Sequence, residues 1–271
     1  MSNQLNFNRL FALIRRQWIT IGRIYLMALV IIGGIFLAFY GDNLRQYYNE
    51  ISTNPQAGTE VLEFRPMLFK ILGLFFVTII SSSYFSDLGQ KAKAIFELMI
   101  PASRLEKFLA AIFYTVIVSL GSYLLLFFLI DYAFVSHLRS IGSSITTKTL
   151  YNGDQSVVDN WTYFFKIERQ RFVAYFYFLP FLLNGIFLLG SISFKNFQYI
   201  KTAISMIVYV GVWVVTLVSV MKVITDNTIN VTNDGYFQNQ EHVFQLMMII
   251  GIVLTFIFWG LAFLRLKEKE V

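Results

Sequence analysis

Six long apolar runs divide this chain, and nothing else in the sequence limits its fold as strongly. They fall at residues 24–40, 68–85, 108–130, 172–194, 202–220 and 243–264. A helix needs roughly 17–25 residues to cross a hydrocarbon core about 30 Å thick. The runs are apolar on all sides instead of striped, which suits lipid better than the flank of a soluble core. In lipid an open strand would leave backbone groups unpaired, so the runs are read as helices. The expected fold is an all-α membrane protein with a single transmembrane domain over 1–271. Its parts are a bundle of about six transmembrane helices, an N-terminal amphipathic interface helix and a short cytoplasmic helix.

Composition agrees. Charged residues make up 14% of the chain, against about 25% in an average soluble domain. The 29 Phe and 15 Tyr exceed what a soluble core of 271 residues needs, and aromatic rings belong at headgroup level. The sequence has no cysteine, which excludes disulfides, zinc-thiolate centres and iron–sulfur clusters. The first run ends in Phe39-Tyr40-Gly41-Asp42 with no small-residue cleavage site, so it reads as a retained span and not as a signal peptide.

Lys and Arg set the expected orientation. Segments 1–23, 86–107, 195–201 and 265–271 carry 13 of the 22 Lys and Arg in a shorter total length than segments 41–70, 135–171 and 221–242, which carry the other nine. This bias predicts N- and C-termini in the cytoplasm. It also makes the net charge of +6 a topological signal and not a nucleic-acid footprint. Near the N-terminus, Phe7, Leu10, Phe11, Ile14 and Trp18 recur at helical spacing while Arg9, Arg15 and Arg16 fall on other faces. That pattern predicts a surface helix whose arginines reach lipid phosphates. The Trp161–Phe165 stretch of the third loop is expected along the outer interface.

Segment 86–107 is the most informative loop. Leu88, Ala92, Ile95, Phe96 and Met99 form an apolar stripe, with Asp87, Lys91, Lys93 and Glu97 on the remaining faces. A short amphipathic helix is expected there, stopped by Pro101. Ser103-Arg104-Leu105-Glu106 then has the form of a capping box, in which Ser103 and Glu106 each accept from the other's backbone N–H. A loop that only reversed the chain would need neither helix, stop nor cap, so the segment is read as a docking element for a cytoplasmic partner.

The surface helix, the six spans and the phrase Leu98-Met-Ile-Pro-Ala-Ser-Arg-Leu-Glu-Lys107 together resemble the membrane (permease) subunit of a bacterial type-2 ATP-binding-cassette transporter, which has an LP-x-S-x-x-E stretch here. The resemblance implies a coupling helix from Asp87 to Met99 that docks on a separate cytoplasmic ATPase. Its docking residues would be Asp87, Lys91, Lys93, Phe96, Glu97, Pro101 and Ser103, with Arg104, Glu106 and Lys107 at the base. It further implies a second permease copy or homologue as partner, and location in the bacterial inner (plasma) membrane. ATP would be used by the partner, with no cofactor on this chain. The family's re-entrant helices between the fifth and sixth spans have no clear counterpart in the polar, Asn-rich stretch 221–242.

No catalytic or metal-binding residue is expected. The chain has no Gly-x-x-x-x-Gly-Lys-Ser/Thr loop, so no P-loop of its own hydrolyses ATP. His137 and His242 are isolated loop histidines. Lys70, inside the second run, and Asp131, just past the third, lie near exterior ends and are expected to snorkel to the interface. Ser81-Ser82-Ser83, Asn184 and Ser191 suit either substrate contact or helix packing. The alternatives to a permease are a non-transport assembly or anchoring protein whose loop docks another partner, and a stand-alone channel or carrier.

Overall fold

The computed structural model describes residues 6–51, 62, 64–89, 94–95, 99–141, 145–149, 155–159, 161–166, 171–226 and 240–269. The chain is an all-α, multi-pass membrane protein. Among the described residues, six helical segments are long and apolar enough to cross a membrane: Phe7–Asn49, Arg65–Leu88, Arg104–Ile141, Val173–Ser193, Gln198–Thr216 and Glu241–Lys269.

Helix α1 (Phe7–Ile51) is 45 residues long, roughly 68 Å at 1.5 Å per residue. It corrects the expected N-terminal surface helix, because that segment and the first span are one unbroken element. No proline lies between 7 and 51 to part them. Of the apolar residues in α1, Phe7, Phe11 and Trp18 are exposed, while Leu13, Ile21 and Tyr25, with Gln17, are buried. Helix α2 (Arg65–Tyr84) carries Pro66 in its first turn, where the missing N–H has no intrahelical partner to lose.

Helix α3 (Arg104–Ile112) passes through a π-helical stretch, Phe113–Val118, into α4 (Ser119–Ile141). Helix α5 (Leu179–Ser193) also begins with a proline in its first turn. Helices α6 (Gln198–Asp226) and α7 (Gln240–Lys269) complete the spans. The stretch where re-entrant helices were sought, 227–239, lies outside the described residues.

The third loop holds a feature the sequence reading did not anticipate. Strands β1 (Ile145–Thr149) and β2 (Gln155–Asp159) pair antiparallel, with Ile145 opposite Asp159 and Thr149 opposite Gln155.

Internal packing divides the chain into two compact units. One comprises Met1–Ile24, Val77–Ile117 and Gln170–Val271; the other comprises Tyr25–Phe76 and Val118–Arg169. In the first, α5 packs along both α6 and α7. Gly190 makes the α5–α6 approach: a Cβ there would stand 1.9 Å from Thr202 Oγ1. Asn184, fully buried on α5, donates to Ser81 Oγ at 2.7 Å and to the Thr115 carbonyl at 3.2 Å, and accepts from Trp259 Nε1 at 3.0 Å. Thr115 lies within the π-helical stretch, where the altered ladder makes a backbone carbonyl available to another partner. Small polar residues here join helices, as they commonly do in membranes.

The second unit is built on aromatic rings. Phe69 lies 4.5 Å from Phe127 and 4.7 Å from Phe164, centroid to centroid, and Phe36 lies 5.0 Å from Phe127. Beside them sits a buried ion pair. Asp131 Oδ1 accepts from Arg65 Nη1 at 2.7 Å and from the Tyr40 hydroxyl at 2.6 Å, and Oδ2 accepts from the Phe164 N–H at 3.0 Å. Arg65 Nη2 also donates to the Thr162 carbonyl at 2.9 Å. The expectation that Asp131 snorkels is therefore corrected: the carboxylate is 2% exposed and held by three donors. Lys70 is exposed. The Trp161–Phe165 stretch packs into this unit. Trp161 is buried edge-on against Tyr47 at 5.1 Å, and its carbonyl accepts from Arg139 Nε at 2.9 Å.

Candidate functional site: the elbow before α3

The elbow belongs entirely to the first unit. Residues Pro101 to Ser103 are non-helical and α3 starts at Arg104; most of the helix expected ahead of Pro101 lies outside the described residues. Ser103 is the N-cap, with extended backbone. Its Oγ accepts from the Glu106 N–H at 3.2 Å, and Glu106 Oε2 accepts from the Ser103 N–H at 2.7 Å. The capping box is complete.

Glu106 does more than cap. Its other oxygen, Oε1, accepts from the Asn6 N–H at 2.8 Å and pairs with Arg9 Nη2 at 3.1 Å. One carboxylate thus fastens the start of α1 to the start of α3. A fully buried acid requires such company, since an unpaired charge out of water is strongly unfavourable. A second tie lies further along the same helices: the Tyr114 hydroxyl donates to the Ile14 carbonyl at 2.6 Å, and its ring stacks on Trp18.

The expected site residues separate into three groups. Asp87 sits half-buried in a 3₁₀ turn, Ser86–Gly89, whose Ser86 carbonyl accepts from Gln198 Nε2 at 3.2 Å. Lys91, Lys93, Phe96 and Glu97 lie outside the described residues. At the base, Pro101 is exposed and Ser103 and Arg104 are partly exposed, while Glu106 and Lys107 are buried at 0% and 5% exposure. Glu106 and Lys107, expected at the base of the docking segment, are thus covered by this chain's own residues. A capping acid turned back over its own helix start is covered by the segments it caps.

The apolar stripe also divides. Leu88 is buried, whereas Ile95 and Met99 are exposed and joined by a helical hydrogen bond from the Met99 N–H to the Ile95 carbonyl at 3.0 Å. Arg9, read from the sequence as a lipid-phosphate contact, instead pairs with Glu106. Nothing in local spacing could have found that partner, which lies almost 100 residues away. Among the described residues no group of three His, Asp or Glu could hold a metal ion.

The arrangement presents the exposed apolar residues Ile95 and Met99 ahead of Pro101, followed by a helix start that Glu106 ties to the start of α1. The chain matches no protein-family model, no curated protein and no solved structure.

Proposed function

We propose that the protein is the permease subunit of an ATP-driven transporter of the ATP-binding-cassette type. It sits in a bacterial plasma membrane with both termini cytoplasmic and works beside a second permease copy or homologue. The observation that carries this reading is the double use of Glu106, which caps α3 and holds Asn6 and Arg9 of the N-terminal segment. A cytoplasmic ATPase subunit docks on residues 87–99, where Ile95 and Met99 are exposed. Force applied there meets the Pro101–Ser103 stop and reaches a helix start that cannot yield alone. Through Glu106 the displacement passes to α3 and α1 together, so ATP binding on the partner moves two spans at once. The chain binds no nucleotide, and its ATP is spent by the partner.

Extraction of the full chain in mild detergent is expected to co-purify a nucleotide-binding subunit. Charge reversal by Lys93→Glu with Glu97→Lys is expected to weaken that association. Ser103→Ala is expected to preserve the association while lowering transport per ATP hydrolysed. Absence of any nucleotide-binding partner from wild-type chain extracted under these conditions would sink the proposal.

A further inference from the structure

A small recess opens beside the elbow, lined by Ser103, Arg104, Leu105, Phe263 and Lys267. It joins the first turn of α3 to the last turns of α7, that is, the ends of two candidate spans. Its walls are of two kinds. Arg104 and Lys267 supply positive charge, while Leu105, 44% exposed, and Phe263 supply apolar surface. Phe263 is held in place by Phe108, whose ring meets it edge-on at 5.5 Å.

More positive charge lies close by: Lys269 is within range of the charges on Arg265 and Lys195. Among the described residues Glu106 pairs with Arg9 and Glu268 with Arg265. A guanidinium fork matches phosphate oxygens, and an ammonium on a flexible stem supplies a second point charge. Basic recesses between helices at a membrane surface suit anionic headgroups. Water-soluble anions would have no use for the Leu105 and Phe263 walls, whereas a lipid would lay its glycerol and upper acyl chain there.

We infer that the Arg104–Lys267 recess binds the headgroup phosphate of an anionic phospholipid from the leaflet bordering the start of α3 and the end of α7. The inference rests on the multi-pass fold and not on the transporter reading. It stands if no ATPase partner is found and falls independently of that result. A lipid seated there bridges α3 and α7 beside the elbow, so membrane composition would tune the element that Glu106 anchors.

The test uses the purified full chain in detergent, titrated with dioleoyl phosphatidylglycerol or dioleoyl phosphatidylcholine and read by native mass spectrometry. Wild type is expected to retain one phosphatidylglycerol at concentrations where phosphatidylcholine is lost. Arg104→Gln with Lys267→Gln is expected to weaken that retention about tenfold or more, while Lys70→Gln, at an exposed lysine far along the chain, leaves it unchanged. Equal retention of the two lipids, or equal retention by wild type and the double variant, overturns the inference. Should the double variant fail to fold, a phosphatidylglycerol carrying a headgroup diazirine is photolysed on wild-type chain. Labelling at 103–105 and 263–267 supports the site, and labelling confined elsewhere overturns it.

Discussion

Glu106 and Asp131 are both buried carboxylates on membrane helices, yet they are stabilised in opposite ways. Glu106 takes its first partner from three residues away, and its cap is written in the local spacing Ser-x-x-Glu. Asp131 has no local partner. Its donors come from Tyr40, Arg65 and Phe164, separated from it by 91, 66 and 33 residues. A capped helix start can form as soon as its own turn forms, because it closes a short loop at small entropic cost. The Asp131 cluster forms only when several segments have already met. The first arrangement defines where a helix begins, and the second holds segments together that the sequence leaves far apart.

The largest expected effect tests the second kind of site. Arg65→Met leaves Asp131 buried without its cation and is expected to cost about 3–5 kcal/mol, read by unfolding in mixed micelles of rising SDS fraction. Arg65→Met with Asp131→Leu removes both charges and is expected to recover most of that loss, since a buried pair replaced by apolar residues is often neutral. If the double variant is no more stable than the single one, the unpaired carboxylate is not the source of the loss.

Glu106→Ala comes next, at about 2 kcal/mol for its charged hydrogen bonds. It carries a signature that Arg65→Met lacks: trypsin is expected to cut faster at Arg9, Arg15 and Arg16 once the N-terminal segment is released. Unchanged cleavage there would mean that Glu106 is a cap alone. Ser103→Ala removes half of the capping box and is expected to cost about 1 kcal/mol, with the tryptic pattern unaltered. Asn184→Ala is the smallest, at about 0.6 kcal/mol, because hydrogen bonds between helices in a membrane find substitute partners easily.

The same contrast explains what the sequence made legible. The six apolar runs and the Ser103–Glu106 cap follow from spacing within one span or one turn, and both are present. The β1–β2 hairpin was readable as well. Ile145-Thr-Thr-Lys-Thr149 and Gln155-Ser-Val-Val-Asp159 flank a stretch containing Asn152-Gly153-Asp154, a combination of β-branched residues and turn formers that signals a hairpin. The length of α1 was hidden because a change from amphipathic to uniformly apolar composition looks like a boundary, although no residue there breaks the helix. Arg65 passed unnoticed because a lone arginine beside Pro66 resembles an ordinary loop charge until Asp131 is placed next to it. Burial of Trp161 depended on the same assembly.

The proposed coupling role requires the elbow at 86–107 to share the cytoplasmic side with the chain ends, and a sequence without cysteine makes that sidedness directly measurable. Single variants Met99→Cys, at an exposed elbow position, and Thr147→Cys, in β1, are exposed to a membrane-impermeant maleimide in intact spheroplasts and again after lysis. Labelling of Thr147→Cys in intact spheroplasts, with Met99→Cys labelled only after lysis, is the predicted result. Labelling of Met99→Cys in intact spheroplasts, with Thr147→Cys protected until lysis, would put the elbow outside and contradict both the orientation and the coupling role built on it.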